Sequence, residues 1–474
     1  MIRKAAAFCV ALSLAGAPAL AQSSISASDK QQGAQAHPEL LKEYGGPYKG
    51  PQAAYVERVG KRVATQSGLS NAQGDFTVTL LDSSVENAFA IPGGYVYVTR
   101  QLVALMNSEA ELASVMGHEV GHVAARHSAK RNNRSQLGSI LAAAAGALTG
   151  SDIVGQVAGY GAQLYTLGFS RSQEYAADGL GVRYITQAGY DPYAAADMLA
   201  SLDAETSLQA RIEGRDASAT PGWASTHPNG VERVKRAEKL AQKTGRQPAP
   251  AVQDTAFLRM LDGMAYDDSP SQGIVSGQTF SHPELRLRFT APAGYTIANS
   301  ADAVSVSGSG GKAQFGMGSA TADLGSYIDA AFAKLAGSSG QVSRGELRSF
   351  NANGIPAAYA TARASSGGRV VDATIVAYRF PSATYQFLIV TPSGSGLGPF
   401  AGMVSGLTQL TGQQAAAIKG KRIRIVTVAA GDTIDSLARQ MAYPNFQRER
   451  FMTLNALSDA AALRPGMLVK LVVE

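Results

Sequence analysis

Between Leu112 and Val123 the chain is apolar at most positions, yet it also carries His118, Glu119 and His122. Leu112, Val115, Met116, Val120 and Val123 run nearly all round a helix, so the stretch predicts a buried helix rather than an amphipathic surface one. Two imidazoles and a carboxylate are costly to bury without partners, and any fold this chain adopts must supply a counterpart for them. Residues four apart on a helix differ by only about 40° in azimuth, so both imidazoles project from one face. His118-Glu119-Val120-Gly121-His122 matches H-E-x-x-H, in which two histidines share one divalent ion and the glutamate holds a water beside it. Ser108-Glu109-Ala110-Glu111 reads as a capping box opening this helix. Gly117 and Gly121 each cost a helix about 1 kcal/mol relative to Ala. Their expected role is to let another backbone pass close by, as a substrate cleft requires.

A catalytic zinc takes three protein ligands and keeps a position for water. The pattern that extends this motif along the chain needs Gly at 125 and His at 128, where Ala125 and Ser128 stand. His127 is one position off and is expected on the helix surface. Glu174 is the better third ligand, in Glu174-Tyr175-Ala176-Ala177-Asp178 on a second helix. Asp178 lies one turn further on the same face, placed to orient a ligand imidazole through its other nitrogen.

At 474 residues the chain exceeds what one hydrophobic core holds. Arg3 and Lys4, an apolar run over 5–14 and the small-x-small triplet Ala19-Leu20-Ala21 mark 1–21 as a cleaved signal peptide. That apolar run is well short of the ~20 residues a membrane span needs. The lone cysteine, Cys9, lies inside it, so the exported protein would hold no thiol, which fits the bacterial periplasm. Loss of Arg3 and Lys4 lowers the net charge from +6 to +4, and no cluster of basic residues marks a nucleic-acid surface. An Ala-rich stretch at 137–148, again too short for a span, reads as a buried helix, with peripheral membrane contact as the lesser alternative.

The expected organisation is a loose leader over 22–49, a mainly helical domain with a small β-sheet over 50–245, and a linker over 246–273. An α+β domain of unknown role follows over 274–412, with strands alternating around one helix near 327–335. Its Gly308-Ser309-Gly310-Gly311-Lys312 lacks the upstream Gly and following Ser/Thr of a phosphate loop and reads as a hairpin turn. A second linker around 413–421 leads to a small module over 422–474. The fold class is thus α+β and multidomain.

Four motifs in order resemble the M48 family of zinc metallopeptidases, in its soluble branch. They are Asn87-Ala88-Phe89-Ala90-Ile91-Pro92-Gly93-Gly94, His118-Glu119-Val120-Gly121-His122, Glu174-Tyr175-Ala176-Ala177-Asp178 and His227-Pro228-Asn229-Gly230-Val231-Glu232-Arg233. The resemblance covers about 50–245. It implies a gluzincin fold binding one Zn2+ through His118, His122 and Glu174, with Glu119 as general base. It also implies an edge strand, Asn87, Ala88, Phe89 and Ala90, that holds a polypeptide substrate by strand addition. His227 and Arg233 would lie near the zinc as transition-state stabiliser or gate. The final module resembles a divergent LysM domain through Gly431-Asp432-Thr433-Ile434, Leu454-Asn455 and Arg464-Pro465-Gly466, which implies a βααβ unit and opens peptidoglycan as a partner. The expected function is endopeptidase cleavage of misfolded or envelope proteins in the periplasm. Two other readings stay open: an envelope-assembly chaperone with restrained peptidase activity, and a peptidoglycan-binding scaffold. Nothing in the sequence sets the oligomeric state.

Overall fold

A computed structural model describes residues 24–130, 168–214, 223, 227, 230–249, 252–301, 303–336, 343–366, 369–457 and 463–474. The expected signal segment and the Ala-rich stretch at 137–148 lie outside the described residues. The leader expected to be loose instead carries helix α1 (Ala27–Glu43), capped by Ser26, which accepts from the Asp29 amide. Helices α2 (Gln52–Ala64) and α3 (Ala72–Asp75) precede strands β1 (Thr77–Leu81), β2 (Ala88–Ile91) and β3 (Tyr95–Thr99). The strand order is β1-β3-β2, with β1 parallel and β2 antiparallel to β3. Gly93 and Gly94 make the β2–β3 turn at φ of 91° and 87°, backbone that favours glycine.

Alternation decides what each face of this sheet covers. Val96 and Val98 join the core with α2, whereas Tyr97, Phe89 and Ile91 point the other way, onto Ala36 and Leu40 of α1. The leader is therefore ordered by an apolar face of the sheet that would otherwise meet water.

Helices α4 (Arg100–Leu105) and α5 (Glu109–Ala124) follow, then a short α6 (His127–Lys130). Only half of the expected capping box forms. The Ser108 hydroxyl accepts from the Glu111 amide at 3.1 Å, but the Glu111 carboxylate reaches one residue further back, to the Asn107 amide at 2.9 Å. Helix α7 (Arg171–Gln187) lies against α5, and α8 (Ala194–Glu213) and α9 (Gly230–Lys243) close the bundle. The glycines of α5 serve this packing rather than a substrate cleft. A Cβ at Gly117 would stand 3.1 Å from the Gly181 carbonyl oxygen, and one at Gly121 3.1 Å from that of Ala177.

The segment expected as a linker over 246–273 contributes α10 (Thr255–Leu261) and β4 (Ala265–Tyr266), because Phe257, Leu261 and Met264 are fully buried in the same core as α2 and α5. The next region has strands β5 (Ile274–Ser276), β6 (Thr279–His282), β7 (Leu287–Thr290), β8 (Thr296–Asn299), β9 (Val304–Gly308) and β10 (Gly311–Gly318). Helix α11 (Leu324–Ala336) is followed by β11 (Arg348–Ala352), β12 (Ile355–Ser366), β13 (Arg369–Arg379), β14 (Thr384–Pro392), α12 (Ala401–Ser405) and β15 (Thr408–Gln409). A seven-stranded sheet, β11-β12-β13-β14-β10-β9-β8, faces a four-stranded one, β15-β7-β6-β5. In β14, Tyr385, Phe387 and Ile389 enter the core shared with the smaller sheet, while Leu388 and Val390 face α11. As expected, β9 and β10 form a hairpin, with Gly308 opposite Gly311.

In place of the second linker stands a helical turn, α13 (Gly412–Ala416). The last module then runs β16 (Lys421–Thr427), α14 (Ile434–Ala438), α15 (Gln447–Leu454) and β17 (Leu468–Val473). This is the β-α-α-β order, but the module is not a free appendage. Strand β16 pairs with β4 as well as β17, and Ile423, Phe451, Leu454, Val469 and Leu471 share one core with α5 and α10. Lys470 is fully buried and donates from Nζ to the carbonyls of Ala104, Leu105 and Met106 at 2.8, 3.0 and 2.8 Å. It thereby satisfies the last carbonyls of α4, two residues before the cap of α5. Leaving such buried carbonyls without a donor costs about 1–3 kcal/mol. Lys470→Met, which keeps the apolar stem, should lower stability by that order in urea unfolding; an unchanged midpoint would show that the contact does not fasten the module.

Candidate metal centre

Helix α5 presents His118 and His122 on the face that meets α7, and α7 answers with Glu174 and Asp178, also four residues apart. The Nε2 atoms of His118 and His122 lie 3.0 Å from each other. Glu174 Oε1 is 3.4 Å from His122 Nε2, and Glu174 Oε2 is 3.5 Å from His118 Nε2. His227, just ahead of α9, brings Nδ1 to 3.0 Å from Glu174 Oε2 and 3.3 Å from His118 Nε2. Four buried donors thus lie within 4.8 Å of one another. Donors about 2.0–2.1 Å from a tetrahedral zinc stand about 3.3 Å apart, and these five separations of 3.0–3.5 Å lie close to that value. Two imidazoles and a carboxylate are the donor chemistry a catalytic zinc takes, and the residues fit it.

The outer face of each ligand is also held. Asp178 Oδ1 lies 2.9 Å from His118 Nδ1, which fixes that ring with Nε2 toward the cluster. Arg233, fully buried on α9, donates to both Asp178 oxygens at 2.6 and 2.9 Å and lies 3.0 Å from Glu174 Oε2. It also donates to the His227 carbonyl at 3.3 Å. The sequence placed Arg233 near the reacting carbonyl as a stabiliser or gate; the structure places it behind the ligands, committed to them.

His127, expected on the helix surface, is buried, with Nδ1 2.9 Å from Nδ1 of His122. Arg126 adopts a left-handed φ of 55°, which turns the chain back after α5 so that His127 returns to the site. No glycine marks that turn, so periodicity projects the helix straight on. Phe169 completes the surroundings, its ring stacked 3.8 Å from that of His122. Trp223 stacks on His227 at 4.0 Å. Neither aromatic belongs to a motif, and both were missed.

Glu119 is fully buried beside this cluster, and neither carboxylate oxygen has a hydrogen-bond partner among the described residues. His227 Nε2 is 3.7 Å from its Oε1. Burial raises the Glu119 carboxyl above its ordinary range, against the pull of His227 and His118. Glu174 behaves oppositely: burial works to raise it, but His227 and the hydrogen bonds of the three histidines hold it far below the usual carboxylate range. One carboxylate is therefore fixed as an anion and the other is poised to accept a proton.

The expected edge strand divides into two kinds of residue. Asn87 pairs with β3 through Thr99, whose amide donates to its carbonyl at 2.9 Å, and its side chain donates to the Tyr44 hydroxyl. Phe89 stacks on Tyr97 at 4.7 Å. In an antiparallel ladder, residues alternate in direction, so Ala88 and Ala90 turn their amides and carbonyls to the free edge of β2. Of the four expected substrate contacts, only these two present backbone there. The Glu86 carbonyl, in line with them, accepts from the Trp223 amide at 2.8 Å.

Comparison with known proteins agrees with this geometry. The sequence model of peptidase family M48 matches residues 51–241. The mitochondrial metalloendopeptidase OMA1 of Schizosaccharomyces pombe is 33% identical over 215 residues, which is 44% of this chain and 60% of that protein. A beta-barrel assembly-enhancing protease of Yersinia pestis is 30% identical over 217 residues, 44% of this chain and 42% of its own length. Metalloprotease LoiP of Escherichia coli (strain K12) is 33% identical over 152 residues, 31% and 56% of the two chains. The chain therefore spans about half the length of these relatives. The described residues include no helix long and apolar enough to cross a membrane. Residues 51–241, which carry all four donors, are thus similar to peptidase family M48.

Proposed function

We propose that this chain is a zinc-dependent endopeptidase of the bacterial envelope. The observation that carries this reading is the close spacing of His118, His122 and Glu174 beside a fully buried Glu119 whose carboxylate has no hydrogen-bond partner among the described residues. A zinc ion held by those three residues would polarise the scissile carbonyl and acidify a water. Glu119 takes the proton of that water and passes it to the leaving amine, work suited to a carboxyl whose burial raises its proton affinity. Asp178 keeps His118 in the ligating tautomer, and Arg233 keeps Asp178 and Glu174 ionised and in place. Ala88 and Ala90 hold the substrate backbone as an added strand. A periplasmic location rests on the signal-like 1–21 segment, and envelope proteins as substrates rest on the bacterial relative named for β-barrel assembly. Peptidoglycan contact through 422–474 rests only on the LysM-like motifs and the βααβ order.

One observation favours a restrained form of this enzyme. His227 Nδ1 lies 3.3 Å from His118 Nε2 and 3.0 Å from Glu174 Oε2, where it would compete with the water that a catalytic zinc needs. His227 then acts as a gate that must withdraw before the enzyme cuts.

Three substitutions test these assignments, read by zinc analysis and casein cleavage. Glu119→Gln should retain one zinc per chain while cleavage falls by about 10²–10⁴-fold, the usual worth of general base catalysis; undiminished proteolysis by a clean preparation would overturn the assignment. Glu174→Ala should lose the metal, and full zinc occupancy would remove Glu174 from the ligand set. His227→Ala should keep zinc and raise cleavage several-fold. A fall instead would make His227 a transition-state donor rather than a gate.

A further inference from the structure

The two histidines of α5 are held differently on the sides turned away from the donor cluster. His118 Nδ1 meets the Asp178 carboxylate, whereas His122 Nδ1 lies 2.9 Å from Nδ1 of His127. His127 is itself buried, and its ring stands at 72° to that of His122. Its backbone is tied to α7, because Gln173, the residue before Glu174, donates from Nε2 to the His127 carbonyl at 3.3 Å. The same Gln173 side chain completes the capping box that opens α7 at Ser170. Phe169 covers the face of the His122 ring, stacked at 3.8 Å and 21°.

The stack and the hydrogen bond constrain different things. Stacking sets the plane of the His122 ring, but half a turn about χ2 keeps that plane and exchanges Nε2 with a carbon. A partner for Nδ1 at the ring edge tells the two orientations apart. When Nε2 keeps its lone pair for a cation, the ring proton sits on Nδ1 and needs an acceptor. His127 Nδ1 stands at the distance of that acceptor, and it accepts when its own proton is on Nε2. A neutral acceptor also suits the charge of the site. A carboxylate at 127 would add another negative charge to buried Glu119, Glu174 and Asp178, beyond what Arg233 and a divalent ion balance.

We infer that His127 is the positioning residue of His122, selecting the ring orientation that turns Nε2 toward the donor set. This inference rests on the zinc-site reading. The left-handed turn at Arg126 then has a use, since it is what returns His127 to the edge of the His122 ring.

The test uses the full chain, stripped of metal and titrated with zinc against a chelating dye. His127→Phe keeps a ring but offers no acceptor, and should weaken zinc binding about 10–100-fold, the usual effect of losing the partner of a metal-bound imidazole. His127→Asn, whose Oδ1 can stand where Nδ1 stood, should recover most of that loss. Equal weakening in both folded variants, or none in His127→Phe, would overturn the inference. A spectroscopic signature checks the contact itself. In zinc-loaded protein carrying isotopically labelled histidine, NMR should show a scalar coupling between Nδ1 of His122 and Nδ1 of His127, transmitted through the hydrogen bond. A spectrum that resolves both nitrogens without that coupling rejects the role. Arg126→Val leaves every donor in place and serves if His127→Phe does not fold. A β-branched residue fits poorly at the left-handed φ of 55°, so this variant should lose the coupling and bind zinc several-fold more weakly, while Arg126→Gly should keep both. Loss of the coupling with zinc affinity unchanged would show that His127 does not position the ligand. Failure of the zinc-site reading looks different: the wild-type chain itself would then bind no zinc, whereas tight wild-type binding matched by His127→Phe rejects the positioning role alone.

Discussion

Where α5 crosses α7, Gly117 faces Gly181 and Gly121 faces Ala177 across gaps that leave no room for a further side chain. Glu174, Ala177, Asp178 and Gly181 form one face of α7, at spacings of three and four. The small residues of that face set the approach, and the carboxylates between them meet the histidines of α5. Substituting any larger side chain at the contact would move two donors away from two others at once. The donor geometry is thus a consequence of helix packing, and the helix cost of the glycines is accepted at the contact that brings the four donors together.

Such packing places charge where water cannot reach it. Among the described residues, Glu119, Glu174 and Asp178 are buried together with one guanidinium, that of Arg233. With neutral imidazoles, three carboxylates against one cation leave two negative charges, which a divalent ion would balance. The arrangement also separates roles. Arg233 neutralises the two carboxylates it touches, whereas Glu119 has its hydrogen-bonding capacity left for a water and a substrate. A buried cluster of this kind is costly for stability alone, so its composition is better understood from the chemistry it performs.

The parts of this site that the sequence revealed are those that obey helical spacing. His118, His122, Glu174 and Asp178 could be assigned because a four-residue step has only one geometric meaning on a helix. His127 could not, because one left-handed residue at Arg126 breaks that spacing. The role of Gly117 and Gly121 was half visible: a close approach was implied, but periodicity does not say whether a substrate or another helix makes it. Asn87 and Phe89 were grouped with Ala88 and Ala90 because a strand reads as a unit, whereas pairing with β3 divides it by alternate residues. The segments taken as loose or linking misled for a related reason. Short helices such as α1 and α10 show weak patterns of their own and are ordered by faces that other elements supply.

The folding unit around the site is larger than the family match. The family match ends at residue 241, yet the core that holds α5 continues through Phe257, Leu261 and Met264 into Ile423, Phe451 and Leu471. Each such side chain contributes about 1.5–3 kcal/mol on burial, so these segments are not accessories to a domain already complete. Lys470 makes the connection specific, since it binds the carbonyls that end α4 just before helix α5 begins. A module fastened there can resemble a binding domain in chain order while its inner strand, β17, is committed to the core that holds α5. Sequence kinship marks the part of this chain that carries the chemistry, whereas the hydrophobic core marks the larger part that must fold for that chemistry to be held in place.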